Sequence, residues 1–269
     1  MTNTSTKLPT YFLSHGGGPW PWISEQREMY APLAASLRAI PAELGVEPRA
    51  ILCISGHWET AAFTVQTSPQ PSMLYDYYGF PAHTYSIQYP ASGSPELALR
   101  VKSLLDAAGQ PTTTDAERGY DHGTFSPLAV VYPEANIRVV QLSIRADYDP
   151  AAHLSVGRAL APLRREGVLI VGSGLSYHNL SALGSIGREP SRRFDEWLTE
   201  TLVDSTPEER VRRLLDWEQA PSARFAHPRE DHLIPLMVAV GAAEQEPATR
   251  NYHEDSFYGA ITASSYCFG

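Results

Sequence analysis

Three apolar runs in this chain of 269 residues each close on a histidine: Thr10-Tyr-Phe-Leu-Ser-His15, Ala50-Ile-Leu-Cys-Ile-Ser-Gly-His57 and Val168-Leu-Ile-Val-Gly-Ser-Gly-Leu-Ser-Tyr-His178. Short apolar runs that stop at Gly, Ser and His read as buried parallel strands, and ligands of open α/β sheets sit beyond the carboxyl ends of such strands. Three strands of this kind would bring three imidazoles to one edge. Imidazole ligates zinc and iron, so the arrangement points to a metal site.

The other six histidines differ in context. His153 falls in an amphipathic stretch and His253 in a polar one, so both are expected at the surface. His122 lies in Arg118-Gly-Tyr-Asp-His-Gly-Thr-Phe-Ser-Pro127, a loop-to-helix junction that Asp121 or Thr124 would cap. There it is either a local anchor or a donor facing the cleft. The segment Ala226-His-Pro-Arg-Glu-Asp-His232 places His227 at a helix cap, Pro228 in the first helical position and His232 inside the helix. Five residues along a helix turn through about 500°, so His227 and His232 do not share a face. One would ligate while the other supports it or meets the substrate, and the residue types leave open which. This is not His-Glu-x-x-His, whose histidines are four apart on one face. Gly16-Gly-Gly-Pro19 and Gly172-Ser-Gly174 complete no phosphate-binding motif, and there is no Gly-x-Ser-x-Gly elbow.

The elements that must position these residues alternate as strand and helix, the pattern of an α/β protein. Helices are expected over Ala31–Ile40 with Pro41 just beyond, over Pro95–Ala108 closed by Gly109, and over Pro150–Arg165 closed by Gly167. Strands are expected at Ala62–Gln66 and Ile137–Ile144. From Glu189 the chain reads as mostly helical, over about Ser191–Val203, Pro207–Trp217 and Pro228–Ala243, with an apolar tail from Phe257 that packs on the body. The segment Ser68–Pro95 breaks the rhythm with five prolines among Tyr75, Tyr77, Tyr78, Phe80, Tyr85 and Tyr89. Such a loop either anchors itself by its aromatics or lines a pocket for a flat ring, and Tyr78 and His83 are its substrate-binding candidates.

At 43% hydrophobic residues the chain suffices for one large core, so a single domain over residues 1–269 is expected. The formal charge of -9 argues against a nucleic-acid partner. No apolar run is long enough for a membrane span, the segment Met1–Pro9 has no signal core, and Cys53 and Cys267 are too few for a disulfide framework. A cytoplasmic location follows as an expectation. A homo-oligomer is compatible with the sequence, which leaves the oligomeric state open.

Several blocks in one order complete the picture: Leu13-Ser-His-Gly-Gly-Gly-Pro19, Ile54-Ser-Gly-His-Trp-Glu-Thr60, Tyr75-Asp-Tyr-Tyr-Gly-Phe-Pro81, Tyr89-Pro-Ala-Ser-Gly-Ser-Pro-Glu-Leu97, Tyr120-Asp-His-Gly123, Gly172-Ser-Gly-Leu-Ser-Tyr-His-Asn-Leu180, Ala226-His-Pro-Arg-Glu-Asp-His232 and a tail beginning Tyr258-Gly-Ala-Ile261. In these the chain resembles, nearly end to end, the class III extradiol ring-cleavage dioxygenases, in the branch of the DOPA dioxygenases of plants and their bacterial relatives. The resemblance implies an enzyme that opens a catechol, such as DOPA or a related diol, with O₂ and non-haem Fe(II). By motif, His15, His57 and His232 match metal ligands. His178 matches the acid/base histidine, His122 a further active-site histidine, and His227 a contact to the site or the substrate. Better-known members carry Glu at the third ligand position, where this chain offers His232 beside Glu230 and Asp231. Imidazole suits zinc as well as iron, so Zn(II) is an alternative occupant. Rival readings are a histidine-site zinc hydrolase and a non-catalytic metal-binding or interaction relative.

Overall fold

Strands β1 (Thr10–Ser14), β2 (Ala50–Thr60), β3 (Thr64–Gln66), β4 (Thr113–Asp115), β5 (Arg138–Arg145), β6 (Val168–Gly174), β7 (Ala248–Phe257) and β8 (Ile261–Phe268) form one mixed sheet in the order β4-β3-β5-β2-β6-β1-β8-β7. The computed structural model describes residues 7–269. Helices α1 (Ala31–Leu44), α2 (Pro95–Ala107), α3 (His122–Val131) and α4 (Pro150–Leu160) are interspersed with the first strands. Helices α5 (Arg188–Thr199), α6 (Pro207–Leu215), α7 (Ala223–Ala226) and α8 (Ile234–Ala242) follow β6. The result is the α/β domain that the alternation of strand and helix implies.

The centre of the sheet carries the histidines. β5, β2, β6 and β1 run parallel as consecutive neighbours. β1 and β6 are buried along their whole length and β2 over its first seven residues, which is why they read as unbroken apolar runs. Helix α8 packs against β6 and β1, α4 against α8, and α3 against β2.

Several elements differ from expectation, each for a physical reason. Pro41 lies inside α1, not beyond it. It removes one helical hydrogen bond near the C-terminal end, but the helix runs on to Gly45, which takes φ 62° and donates to the Pro41 carbonyl at 3.2 Å. The expected helix over Pro150–Arg165 tightens into a 3₁₀ turn at Ala161. The tail is a pair of antiparallel strands, with β8 hydrogen-bonded to β1. Its Thr/Ser-rich sequence hides the period-two signal because β8 is buried along nearly its whole length, on both faces.

His153 is not at the surface; it is fully buried. Helix α4 crosses α8 so closely that a Cβ at Gly157 would stand 2.3 Å from the Val238 carbonyl. With its partner this close, α4 buries residues beyond a single stripe. The His153 ring is satisfied there: Nδ1 donates to the Asp149 carbonyl at 2.7 Å, and Nε2 accepts from the Arg145 amide at 3.1 Å.

Candidate metal centre and substrate cleft

Adjacent strands β2, β6 and β1 end at one edge of the sheet, and five histidines gather there. His15 follows β1 directly and its amide donates to the Gly174 carbonyl at 3.1 Å. β2 does not stop at His57. It continues to Thr60 through an irregularity in its pairing with β5 between Ile54 and Glu59, and this bulge holds His57. His178 lies four residues beyond β6.

His232 is not in a helix. Helix α7 ends at Ala226, residues 227–233 run through bends and a turn, and α8 starts only at Ile234. The segment lies directly on the sheet, where Leu175 donates to the His232 carbonyl at 3.1 Å. Glycines make room for it: a Cβ at Gly174 would stand 2.0 Å from the His232 carbonyl, and one at Gly172 would stand 2.3 Å from that of Pro235. The Gly172-Ser-Gly174 segment is thus a floor for backbone.

The imidazoles meet at short range. Ring centroids of His15, His57 and His232 are 5.0, 5.1 and 4.6 Å apart, and Nε2 of His57 lies 3.1 Å from Nε2 of His232. His122 stands 3.9 Å from His57, and His178 stacks on His232 at 3.4 Å. Metal-binding atoms lie within 4.8 Å of one another in two adjoining groups, His15/His57/His122 and His178/Asp231/His232. Both ring nitrogens of His15 are buried without a hydrogen-bond partner. Leaving such groups unpaired is costly, and a bound cation is one way to satisfy them.

Two carboxylates stand behind the rings. Asp76 Oδ1 accepts from His122 Nδ1 at 2.8 Å and from the His122 amide at 3.0 Å, while its Oδ2 lies 3.4 Å from His57 Nδ1. Asp231 Oδ2 lies 3.0 Å from His232 Nδ1 and its Oδ1 lies 3.6 Å from His178 Nδ1. Each carboxylate thus stands beside the Nδ1 atoms of two imidazoles, and Nε2 of His57 and Nε2 of His232 face each other. Asp76 reaches this position because the aromatic loop pairs with the chain ahead of α3: Leu74 donates to Tyr120 and Tyr120 to Ser72, each at 2.8 Å. Asp121 caps α3, accepting from the Thr124 amide at 3.0 Å and from Ser55 Oγ at 2.7 Å, which ties α3 to β2.

Burial sets the charge state of the rings. It holds His15 and His57 well below the ordinary histidine pKa, aided by neighbouring imidazoles. It lowers His232 to about 4, with His178 adding to the effect and Asp231 opposing it. Burial alone would raise the Asp231 carboxyl, but the His178 and His232 imidazoles beside it outweigh this and hold it far below the usual range. Neutral imidazoles backed by ionised carboxylates are the form that binds a cation.

The histidines open onto a cleft of about 660 Å³. Its walls include Tyr77, Phe80, Leu175, Leu183, Phe257 and Ile261, which suit a flat ring. Tyr78 lines the mouth and is 92% exposed. Two expected substrate contacts are not among the lining residues. His83 sits on the surface with Nε2 3.1 Å from the Trp22 carbonyl. His227 is buried behind the wall, with Nε2 3.0 Å from the Ser176 carbonyl and its ring against Phe194 and Trp217. The sequence reading missed Asp76, whose only signal is a lone acid among aromatics, and Tyr258, whose positive φ of 48° no residue pattern announces. Tyr258 lines the cleft and its hydroxyl pairs with that of Tyr30 at 2.5 Å.

Comparison with known proteins defines the class. The family described as the catalytic LigB subunit of aromatic ring-opening dioxygenase matches residues 9–269, and the chain belongs to that family. It is 39% identical to the 4,5-DOPA dioxygenase extradiol of Beta vulgaris over 264 residues, covering 96% of each chain. It is 38% identical to the dioxygenase tasH of Hapsidospora irregularis, over 97% of this chain and 85% of the relative. A crystal structure of an uncharacterized Escherichia coli K12 protein superposes with a TM-score of 0.79 at 32% identity, covering 97% of this chain and all (100%) of the other. Among the described residues no helix is long and apolar enough to cross a membrane.

Proposed function

We propose that this protein is an extradiol dioxygenase that opens the ring of a catechol with O₂, using a divalent metal held by His15, His57 and His232, with Fe(II) as the working ion. The observation that carries the reading is the convergence of these three rings. Two nitrogens bound at about 2.1 Å to one ion, at ordinary angles, sit about 3.0–3.4 Å apart. The 3.1 Å between Nε2 of His57 and Nε2 of His232 fits that spacing, and the unpartnered His15 nitrogens supply the third donor. Three neutral imidazoles carry no charge to offset the ion, so Asp76 and Asp231 supply it from behind.

Bound Fe(II) would supply the redox chemistry that joins an electron-rich ring to O₂. The chain's own residues bind, orient and move protons. The aromatic and aliphatic walls hold the ring flat and exclude water on one side. His178, which lines the cleft with Nδ1 3.6 Å from Asp231 Oδ1, is the base that takes a catechol proton and later returns it. His122, oriented by Asp76, is a second polar group beside the reacting oxygens. Zn(II) fits the same donors, so a preparation filled with zinc is compatible with this reading.

The test is anaerobic reconstitution of the apo-protein with Fe(II), followed by a catechol in air. Coupled O₂ uptake and appearance of a yellow ring-opened product is the expected result. No uptake across a catechol panel at full iron occupancy would overturn the reading. Ester or amide hydrolysis by the zinc form, without O₂, would replace it with hydrolase chemistry.

A further inference from the structure

The cleft carries a single Lys or Arg among its lining residues, Arg229, against three carboxylates, Glu59, Asp76 and Asp231. Asp76 and Asp231 stand beside the histidines and are committed to the proposed metal site, so Arg229 is the cationic side chain of this lining left to meet a substituent. Arg229 stands at the rim, three residues ahead of His232, and pairs with Glu59, two residues beyond His57.

Its guanidinium is fixed from one side. Nη2 contacts both Glu59 Oε2 and the Tyr148 hydroxyl, and the group lies 5.2 Å over the Tyr148 ring. Tyr148 also donates to Glu59, and it adopts φ 52°, a left-handed backbone that a tyrosine takes only at a cost. Nη1 and Nε of Arg229 make no hydrogen bond among the described residues, and the side chain is 58% exposed. An arginine pinned at one nitrogen by a stacked tyrosine and a carboxylate, with its other donors open, is pre-organised for a second carboxylate.

We propose that Arg229 is the specificity-determining residue of this cleft and selects catechols whose side chain ends in a carboxylate. The inference rests on the ring-cleavage reading and narrows its substrate class. A carboxylate at the rim accepts hydrogen bonds from Nη1 and Nε while the diol lies toward the histidines. A cationic side chain gains nothing from Arg229.

The experiment compares 3-(3,4-dihydroxyphenyl)propionate, 4-methylcatechol and dopamine as substrates of the iron-loaded protein and of Arg229→Gln and Arg229→Lys. For wild type, kcat/KM for the propionate should exceed that for 4-methylcatechol by about tenfold, mainly through KM, the scale of one charge-assisted contact at a partly exposed site. Arg229→Gln should bring that ratio close to one, and Arg229→Lys should keep part of it. The Kd of the propionate measured under nitrogen should weaken by a similar factor in Arg229→Gln, a readout that needs no turnover. An unchanged ratio and an unchanged anaerobic Kd in Arg229→Gln would overturn the proposal while leaving ring cleavage intact. If no catechol consumes O₂, the ring-cleavage reading fails, and the anaerobic Kd still decides whether Arg229 binds the carboxylate. Should Arg229→Gln not fold, Arg229→Lys and the rise of the wild-type propionate Kd with ionic strength decide it.

Discussion

The carboxylate of Asp231 lies 3.0 Å from Nδ1 of His232, and its second oxygen reaches toward His178, whose ring stacks on that of His232. One side chain thus orients a proposed ligand and the proposed base. Asp76 likewise lies beside a proposed ligand, His57, and accepts from His122. Asp231→Asn and Asp76→Asn would each leave an amide that can accept from one imidazole and must face the other with a donor. Each should weaken metal affinity by about 10–100-fold, the usual scale for such supporting groups, and lower kcat as well. Competition with a chelator for the metal and steady-state kinetics at full occupancy separate the two effects.

The ligand assignment makes a sharper contrast among neighbours. His15→Ala, His57→Ala and His232→Ala should each lose bound metal and activity together. His122→Gln should retain the metal, although His122 is closer to His57 than His232 is. Metal content after dialysis, by elemental analysis, checks this, and a His122→Gln protein without metal would move the third ligand from His232 to His122.

His178→Gln should bind metal normally and lose about 10²–10⁴-fold in kcat, the range for removal of a general acid/base. Wild-type turnover in that variant would remove His178 from the base role.

Gly174→Ala tests whether the backbone floor matters to the site. A Cβ there would stand 2.0 Å from the His232 carbonyl, so the 231–235 segment must lift. The variant should lose metal affinity more severely than Gly45→Ala, where nothing lies within 4 Å of the added carbon and only the strain of φ 62° is felt. Metal titration beside urea unfolding of both variants distinguishes local displacement from global loss.

His153 gives a pH dependence that lies outside the cleft. Burial lowers its pKa to about 4, while an unfolded histidine titrates near its model value of 6.5. Between these values the unfolded chain binds the extra proton, so the neutral ring's contribution is complete above about pH 6.5 and falls away toward pH 4. By pH 5 this amounts to about 2 kcal/mol. His153→Gln should cost about 1 kcal/mol at pH 7.5 through a lost hydrogen bond, yet lose less stability on acidification than wild type. Urea unfolding at pH 7.5 and 5.0 measures both.

Much of the site was legible because strands buried on both faces spell themselves as apolar runs, and their carboxyl ends must share an edge when the strands are parallel. That reasoning located His15 and His178 and came close for His57, which sits in a bulge that the run Ser55-Gly-His57 conceals. It failed at His232, because proline and acids after His227 mimic a helix start, whereas the segment is held flat by the sheet beneath it. It failed at His153 because the surface expectation assumed one buried stripe on α4, and the glycine crossing with α8 buries more. The carboxylates behind the imidazoles were invisible as a pair, since Asp76 and Asp231 meet the same cluster from segments far apart in the chain. The β7–β8 hairpin was missed because a strand buried on both faces and rich in Ser and Thr shows neither period.

β1 is made early and lies between β6 and β8, which come late, and Phe257, Tyr258 and Ile261 from the hairpin β7–β8 close one wall of the cleft. A nascent chain therefore carries His15 and His57 for most of its synthesis without the residues that complete their surroundings. Pairings this distant in sequence form slowly. A metal that needs His232 as well as His15 and His57 would meet a nearly finished fold, and a chain halted before residue 248 would offer its first strand an open edge for another chain to occupy.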